Sequence, residues 1–125
     1  RKVALWALAA LLHDAAEAYM GDMSRPIKYQ REMRAYRRVE LRIERAIEQA
    51  FGLELDDQVR RAIKVIDNRI LIDEIDAFMN LPDGDNLDQQ IAKFGEPLGA
   101  NIAGLMPGQA EHVFLRRYND IMEAL

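Results

Sequence analysis

His13 and Asp14 stand side by side directly after the apolar run Leu8 to Leu12, with Glu17 and Asp22 following in the same segment. If this segment is helical, Glu17 lies four residues after His13 and three after Asp14, which brings the three polar groups toward one side. A charged pair in the most hydrophobic stretch of a chain is expensive to bury unless something compensates it. Imidazole and carboxylates are the usual ligands of borderline-to-hard divalent cations, so a bound metal would supply that compensation. The chain has no cysteine, which excludes disulfides and thiolate sites and leaves His and carboxylate as the available ligands. Taken alone, the His-Asp dipeptide is a weak signal: Asp22 also fits a solvated helix end, and Glu17 a side chain facing water.

Asp67 repeats the anomaly. It falls on an apolar stripe with Ile63, Ile70 and Leu71 one turn away, and Glu74 lies two turns further along the same side. Two isolated polar anomalies in one small chain are most economically explained if they meet at one cation.

The run LLHDAAEAYMGDMSRPIK, with VIDNRILIDEIDAFM some forty residues later, resembles the HD superfamily of phosphohydrolases, close to its bacterial YfbR-like 5′-deoxynucleotidase branch. The likeness covers nearly the whole chain. It implies a helical fold and one divalent metal ion (Mn, Co, Mg, Zn, Fe or Ni) held by a His, an adjacent His-Asp pair and a distant Asp. His13-Asp14 matches the pair and Asp67 the distant Asp. The longer pattern His-Asp-x-x-Glu-x-x-x-x-Asp, present as His13, Asp14, Glu17 and Asp22, implies that Glu17 and Asp22 are the catalytic acidic residues. The family's first His belongs to a preceding helix. No His precedes His13, so the expectation is that residues 1–125 form a single HD domain lacking its N-terminal helix or helices. His112, between Glu111 and the Arg116-Arg117 pair, is expected on the surface.

The resemblance implies phosphate release from a nucleotide, most simply a deoxynucleoside 5′-monophosphate. The cation would bind the phosphate and a water, Glu17 would orient or deprotonate that water, and Asp22 would sit beside the phosphate or the leaving oxygen. Lys28 and Arg25 are candidate phosphate contacts. Two alternatives fit the same residues: a deoxynucleoside triphosphate triphosphohydrolase, which needs more basic residues at the pocket, and a catalytically idle module that binds a nucleotide or a protein. The branch also implies homodimers and a cytoplasmic location.

These residues must be positioned by helices. Apolar residues recur at spacings of three and four from Lys2 to Met20, and the spacing predicts one continuous helix there. Gly21 to Pro26 should end it in a loop, Pro26 disfavouring helix at Arg25. A second helix is expected from about Gln30 to Phe51, with Met33, Tyr36, Val39, Ile43, Ile47 and Ala50 inward, the arginines outward and Gly52 closing it. Asp56 or Asp57 should cap a third, running to about Met79, whose 3.6-residue period outweighs the β-branched content. Residues 80–106 carry six Gly and Pro, so they read as loop with one short helix at Asp88 to Phe94. The stretch Asp83 to Asp88 lacks the glycine placement and closing Glu of an EF-hand and reads as a turn. Pro107 fits the first turn of a last helix with Ala110, Phe114, Ile121 and Leu125 inward. No strand alternation appears, and the expected fold class is all-α, an HD-domain helical bundle.

With 125 residues, 50% of them hydrophobic and 30% charged, the chain suits one compact domain. No apolar run approaches the length of a membrane span, and no signal peptide pattern is present. The net charge is −4, yet Ser24 to Arg45 holds eight basic residues against three acids. Acids interleave with the arginines at helical spacing, so the stretch reads as a solvated helix face; that and the acidic balance disfavour a nucleic-acid partner.

Overall fold

The computed structural model describes residues 1–81 and 84–125. The described residues form α-helices and turns, with no strand among them, so the all-α class predicted from periodicity is what the chain adopts. Pro82 and Asp83 lie outside the described residues, and with them the start of the stretch read as a turn at Asp83 to Asp88. No helix among the described residues is long and apolar enough to cross a membrane.

The chain divides into two compact units, Arg1–Leu55 with Leu115–Leu125, and Asp56–Phe114. The first contains α1 (Lys2–Leu11), α2 (Glu17–Met20), α3 (Arg25–Lys28), a 3₁₀ turn (Arg31–Met33) and α4 (Arg34–Ala50). Leu8, Ala9, Ala16, Leu53 and Ile121 are its buried apolar residues, and Phe51 meets Tyr118 edge-to-face at 6.1 Å. The expected continuous helix from Lys2 to Met20 is broken: residues 12–16 form a run of turns instead. The expected loop before the second helix contains a helical turn, α3, with Pro26 in its first turn. Proline is tolerated there because its missing N–H would have had no partner in the helix anyway.

The second unit is built on α5 (Asp57–Phe78), which begins where its cap residue predicts: the Asp56 carboxylate accepts from Val59 N at 2.9 Å. Val59, Ile72 and Ile75 are its buried residues. The short helix expected near Asp88 is α6 (Leu87–Phe94), opened by a reciprocal capping box between Asn86 and Gln89 and packed on α5. α5 also ties down the segment after α6. Arg69 Nε donates to Glu96 O at 2.8 Å, and one turn later the Asp73 carboxylate accepts from Leu98 N at 2.9 Å and Gly99 N at 3.0 Å. Gly95 makes the turn into this segment at φ +102, where an added Cβ would lie 3.3 Å from Arg69 Cγ.

The last helix, α7 (Pro107–Glu123), starts at the predicted proline, and the division between the units falls within it. Of the four residues expected inward, Ile121 is buried, whereas Ala110, Phe114 and Leu125 are exposed. A one-sided apolar pattern states which face a helix would bury, not how much of it a neighbour reaches.

Ile72 is fully buried on α5, and Val65 on the same helix is 54% exposed. Ile72→Ala is expected to lower unfolding stability by about 2–4 kcal/mol, against less than about 0.5 kcal/mol for Val65→Ala. Urea unfolding midpoints of the two variants check this directly.

Candidate active site

The turn between α1 and α2 sets the first part of the site. Its amides bond three residues back rather than four: Ala15 N to Leu12 O at 3.0 Å, Glu17 N to Asp14 O at 2.9 Å and Ala18 N to Ala15 O at 3.2 Å. With three residues per turn, positions i and i+3 eclipse, which stacks Glu17 over Asp14. His13 and Asp14 are exposed on this turn rather than enclosed in apolar helix, so the burial cost inferred from the sequence is not what distinguishes them.

Their chemistry does. His13 Nδ1 lies 2.8 Å from Ala10 O, and a carbonyl oxygen only accepts, so Nδ1 carries the proton. The other ring nitrogen, Nε2, faces Asp14 Oδ2 at 3.0 Å. In a neutral ring both of these atoms are acceptors, and they sit this close only with a positive charge between them: the second proton of an imidazolium, or a metal cation. A backbone carbonyl holding Nδ1–H is also the usual way in which a metal-binding imidazole is oriented. The donor set therefore fits a divalent cation.

Glu17 is half-buried, and its carboxyl is held above its ordinary value of 4.5. Burial is the largest cause, followed by the negative charges of Asp14 and Asp22; Lys28 opposes the rise and Glu40 adds to it. Asp22 is exposed and follows Gly21, whose φ of 78° and ψ of 165° belong to a region that only glycine enters readily. Lys28 ends α3. Its ammonium meets Glu40 Oε1 at 2.6 Å, with 18% and 10% of the two side chains exposed. Burial pulls the Lys28 pKa down, but the hydrogen bond and charge of Glu40 outweigh that and raise it.

α4 supports this arrangement with three residues that the sequence reading assigned elsewhere. The Tyr36 hydroxyl donates to Gly21 O at 3.2 Å, Arg37 donates to Lys28 O at 2.5 Å and Gln30 O at 2.9 Å, and Glu40 takes the lysine. Val39, expected inward, is 44% exposed, and Glu40 beside it is buried. The signal was present: Tyr36, Glu40, Ile43 and Ile47 share one helical face, so Glu40 is a charge on an apolar stripe, the same anomaly as Asp67.

Arg25 opens α3 and is half-buried. Asp67 belongs to the second unit, half-buried on α5, where Lys64 Nζ approaches its Oδ2 at 2.6 Å. Arg69, two residues further along α5, is spent on the backbone of Glu96 and Pro97. His112 is exposed, as expected.

The raised Glu17 pKa fixes a sign. The folded state holds this proton more tightly than the unfolded chain, so the group's contribution to stability is greatest below pH 4.5 and is lost as pH rises through the raised value. Glu17→Gln removes that loss. In metal-free protein the stability advantage of the variant is expected to grow as pH rises above 4.5 and then level off, which urea midpoints across pH will read. An advantage independent of pH would contradict the electrostatic account.

The model of the YfbR-like 5′-deoxynucleotidase family matches residues 2–94. Among curated proteins, the uncharacterized protein YfdR of Escherichia coli is 31% identical over 118 residues, covering 94% of this chain and 63% of the relative. An uncharacterized protein of Rhodobacter capsulatus is also 31% identical, over 130 residues, covering 96% of this chain and 62% of its own length. The chain thus spans somewhat under two thirds of the relatives it matches. No solved structure matches it. The family match extends from the start of α1 to the end of α6, through both carboxylate-bearing motifs, and the chain belongs to the YfbR-like 5′-deoxynucleotidase family.

Proposed function

We propose that this protein is a metal-dependent phosphohydrolase that releases phosphate from deoxynucleoside 5′-monophosphates. The observation that carries the reading is the His13-Asp14 pair, a ring nitrogen and a carboxylate oxygen 3.0 Å apart that suit a proton or a divalent cation between them, followed by half-buried Glu17 with its raised pKa. Family membership supports the same assignment. His13, Asp14 and Asp67 would hold one divalent cation, with a His of the family's preceding helix as the fourth ligand. Such an ion would polarise the phosphate and acidify the attacking water.

The chain's own residues supply the rest. Glu17 takes the proton from the water whose oxygen forms the new bond to phosphorus, and its raised pKa brings it nearer the neutral range in which a general base works best. The nucleoside oxygen departs with the electron pair of the broken P–O bond on the Asp22 side and takes a proton from solvent, to which Glu17 returns the one it removed from the attacking water. Lys28 donates N–H groups to the phosphate, and Arg25 at the start of α3 is the second basic contact. Asp14, Glu17 and Asp22 together would repel a phosphate dianion, so catalysis requires both the cation and Lys28.

The test is phosphate release by the complete protein from deoxynucleoside mono- and triphosphates with Mn²⁺, Co²⁺, Mg²⁺ or chelator. Release is expected to need metal, to favour monophosphates and to fall by roughly 10²- to 10⁴-fold in Glu17→Ala. Preference for triphosphates would replace the substrate class, and no release with any metal from folded protein would leave an idle binding module. Asp67→Asn tests the ligand set separately: the metal concentration giving half-maximal activity is expected to rise by roughly tenfold or more, with the fold retained. An unchanged metal requirement would remove Asp67 from the set.

A further inference from the structure

Glu40 is buried, the one buried charged residue among those described, and no step of the proposed reaction uses it. Stability does not account for it well. A buried ion pair often contributes no more than two apolar side chains of similar volume, because desolvating both charges offsets their attraction. What the pair supplies, and apolar residues cannot, is a cation held at a fixed point.

The rest of α4 points the same way. Lys28 is held at both ends by residues one turn apart on that helix: Arg37 takes its backbone carbonyl and Glu40 its ammonium. Arg37 is itself steadied over the Tyr29 ring, 5.7 Å from its centroid. Left on its flexible four-carbon stem, the ammonium has competing partners, because Glu17 lies within its field and Asp14 and Asp22 lie within that of Glu17. Collapse of Lys28 onto Glu17 would occupy the general base and remove the phosphate contact at once. The contact with Glu40 engages one of the three N–H groups of the ammonium and leaves two for an anion.

We propose that Glu40 is a positioning residue: from its buried place on α4 it holds the Lys28 ammonium at 2.6 Å, away from Glu17 and directed at the phosphate group of the substrate. This rests on the phosphohydrolase reading. It assigns Glu40 a part in phosphate affinity that acts through Lys28 alone.

The test is a double-mutant cycle on the complete, metal-loaded protein with Lys28→Met, Glu40→Gln and both together. Affinity for inorganic phosphate is read by titration, beside KM and kcat for a deoxynucleoside monophosphate, with circular dichroism to verify folding. Lys28→Met is expected to weaken phosphate binding and raise KM by roughly ten- to a hundredfold, the effect of losing a charged hydrogen bond. Glu40→Gln should do so by roughly three- to tenfold, and the double variant should be no worse than Lys28→Met. A folded Glu40→Gln protein with wild-type phosphate affinity, or additive effects in the double variant, would overturn the proposal. Should Glu40→Gln not fold, the Lys28→Met/Glu40→Met pair replaces the charges by apolar groups, and it must match Lys28→Met alone in phosphate affinity. Phosphate binding that follows the cycle without release from any nucleotide would retain the role of Glu40 and reject the nucleotidase reading. Release with no effect of either variant on phosphate affinity would do the reverse, and neither binding nor release would reject both.

Discussion

Glu40 is a carboxylate on the inward face of α4, and the ammonium that neutralises it arrives from α3. A carboxylate so placed cannot remain unpaired without a large desolvation cost, so the position of α3 against α4 is constrained by charge as much as by apolar contact. The loop from Gly21 to Gln30 inherits that constraint. Tyr36 and Arg37, within one turn of Glu40, take the carbonyls of Gly21, Lys28 and Gln30, so one face of one helix fixes the path of the chain through Asp22, Arg25 and Lys28. The segment carrying most of the candidate substrate contacts has little regular structure of its own; its order comes from α4.

The turn at residues 12–16 solves a complementary problem. A continuous α-helix would advance His13, Asp14 and Glu17 around its axis by about 100° per residue. The tighter turn aligns Asp14 with Glu17 instead, and it brings His13 Nδ1 within reach of Ala10 O, which fixes the ring. Burial is the main reason the pKa of Glu17 is raised, and the crowding of carboxylates that makes the place suitable for a cation adds to it.

In the second unit, α5 plays the part that α4 plays in the first. Arg69 and Asp73, one turn apart, bind backbone groups of the segment from Glu96 to Gly99. In both units a long helix presents charged side chains to the backbone of a glycine- and proline-containing segment that could not order itself. This use of arginines explains why the basic stretch is only partly a solvated face: Arg37 works inward, on carbonyls, while Arg34, Arg38 and Arg42 are exposed.

Much of this protein was legible in the order of its residues. The 3.6-residue period gave the long helices, because an amphipathic stripe is a property of neighbours in sequence. Asp56 and Pro107 marked helix starts, because capping and first-turn preferences are local chemistry. The motif residues His13, Asp14, Glu17, Asp22 and Asp67 could be named from type and spacing, as could the family. What sequence by itself determined, then, were the elements and the candidate chemistry. Tertiary structure alone decided that the first helix breaks at residues 12–16 and that Lys28, from another element, is the group that meets Glu40 and spends one hydrogen bond on it. It also decided that most of the expected inner face of α7 stays exposed. Each of these depends on which charge, carbonyl or apolar surface meets another across elements distant in the chain, and periodicity along one helix carries no record of what lies opposite it.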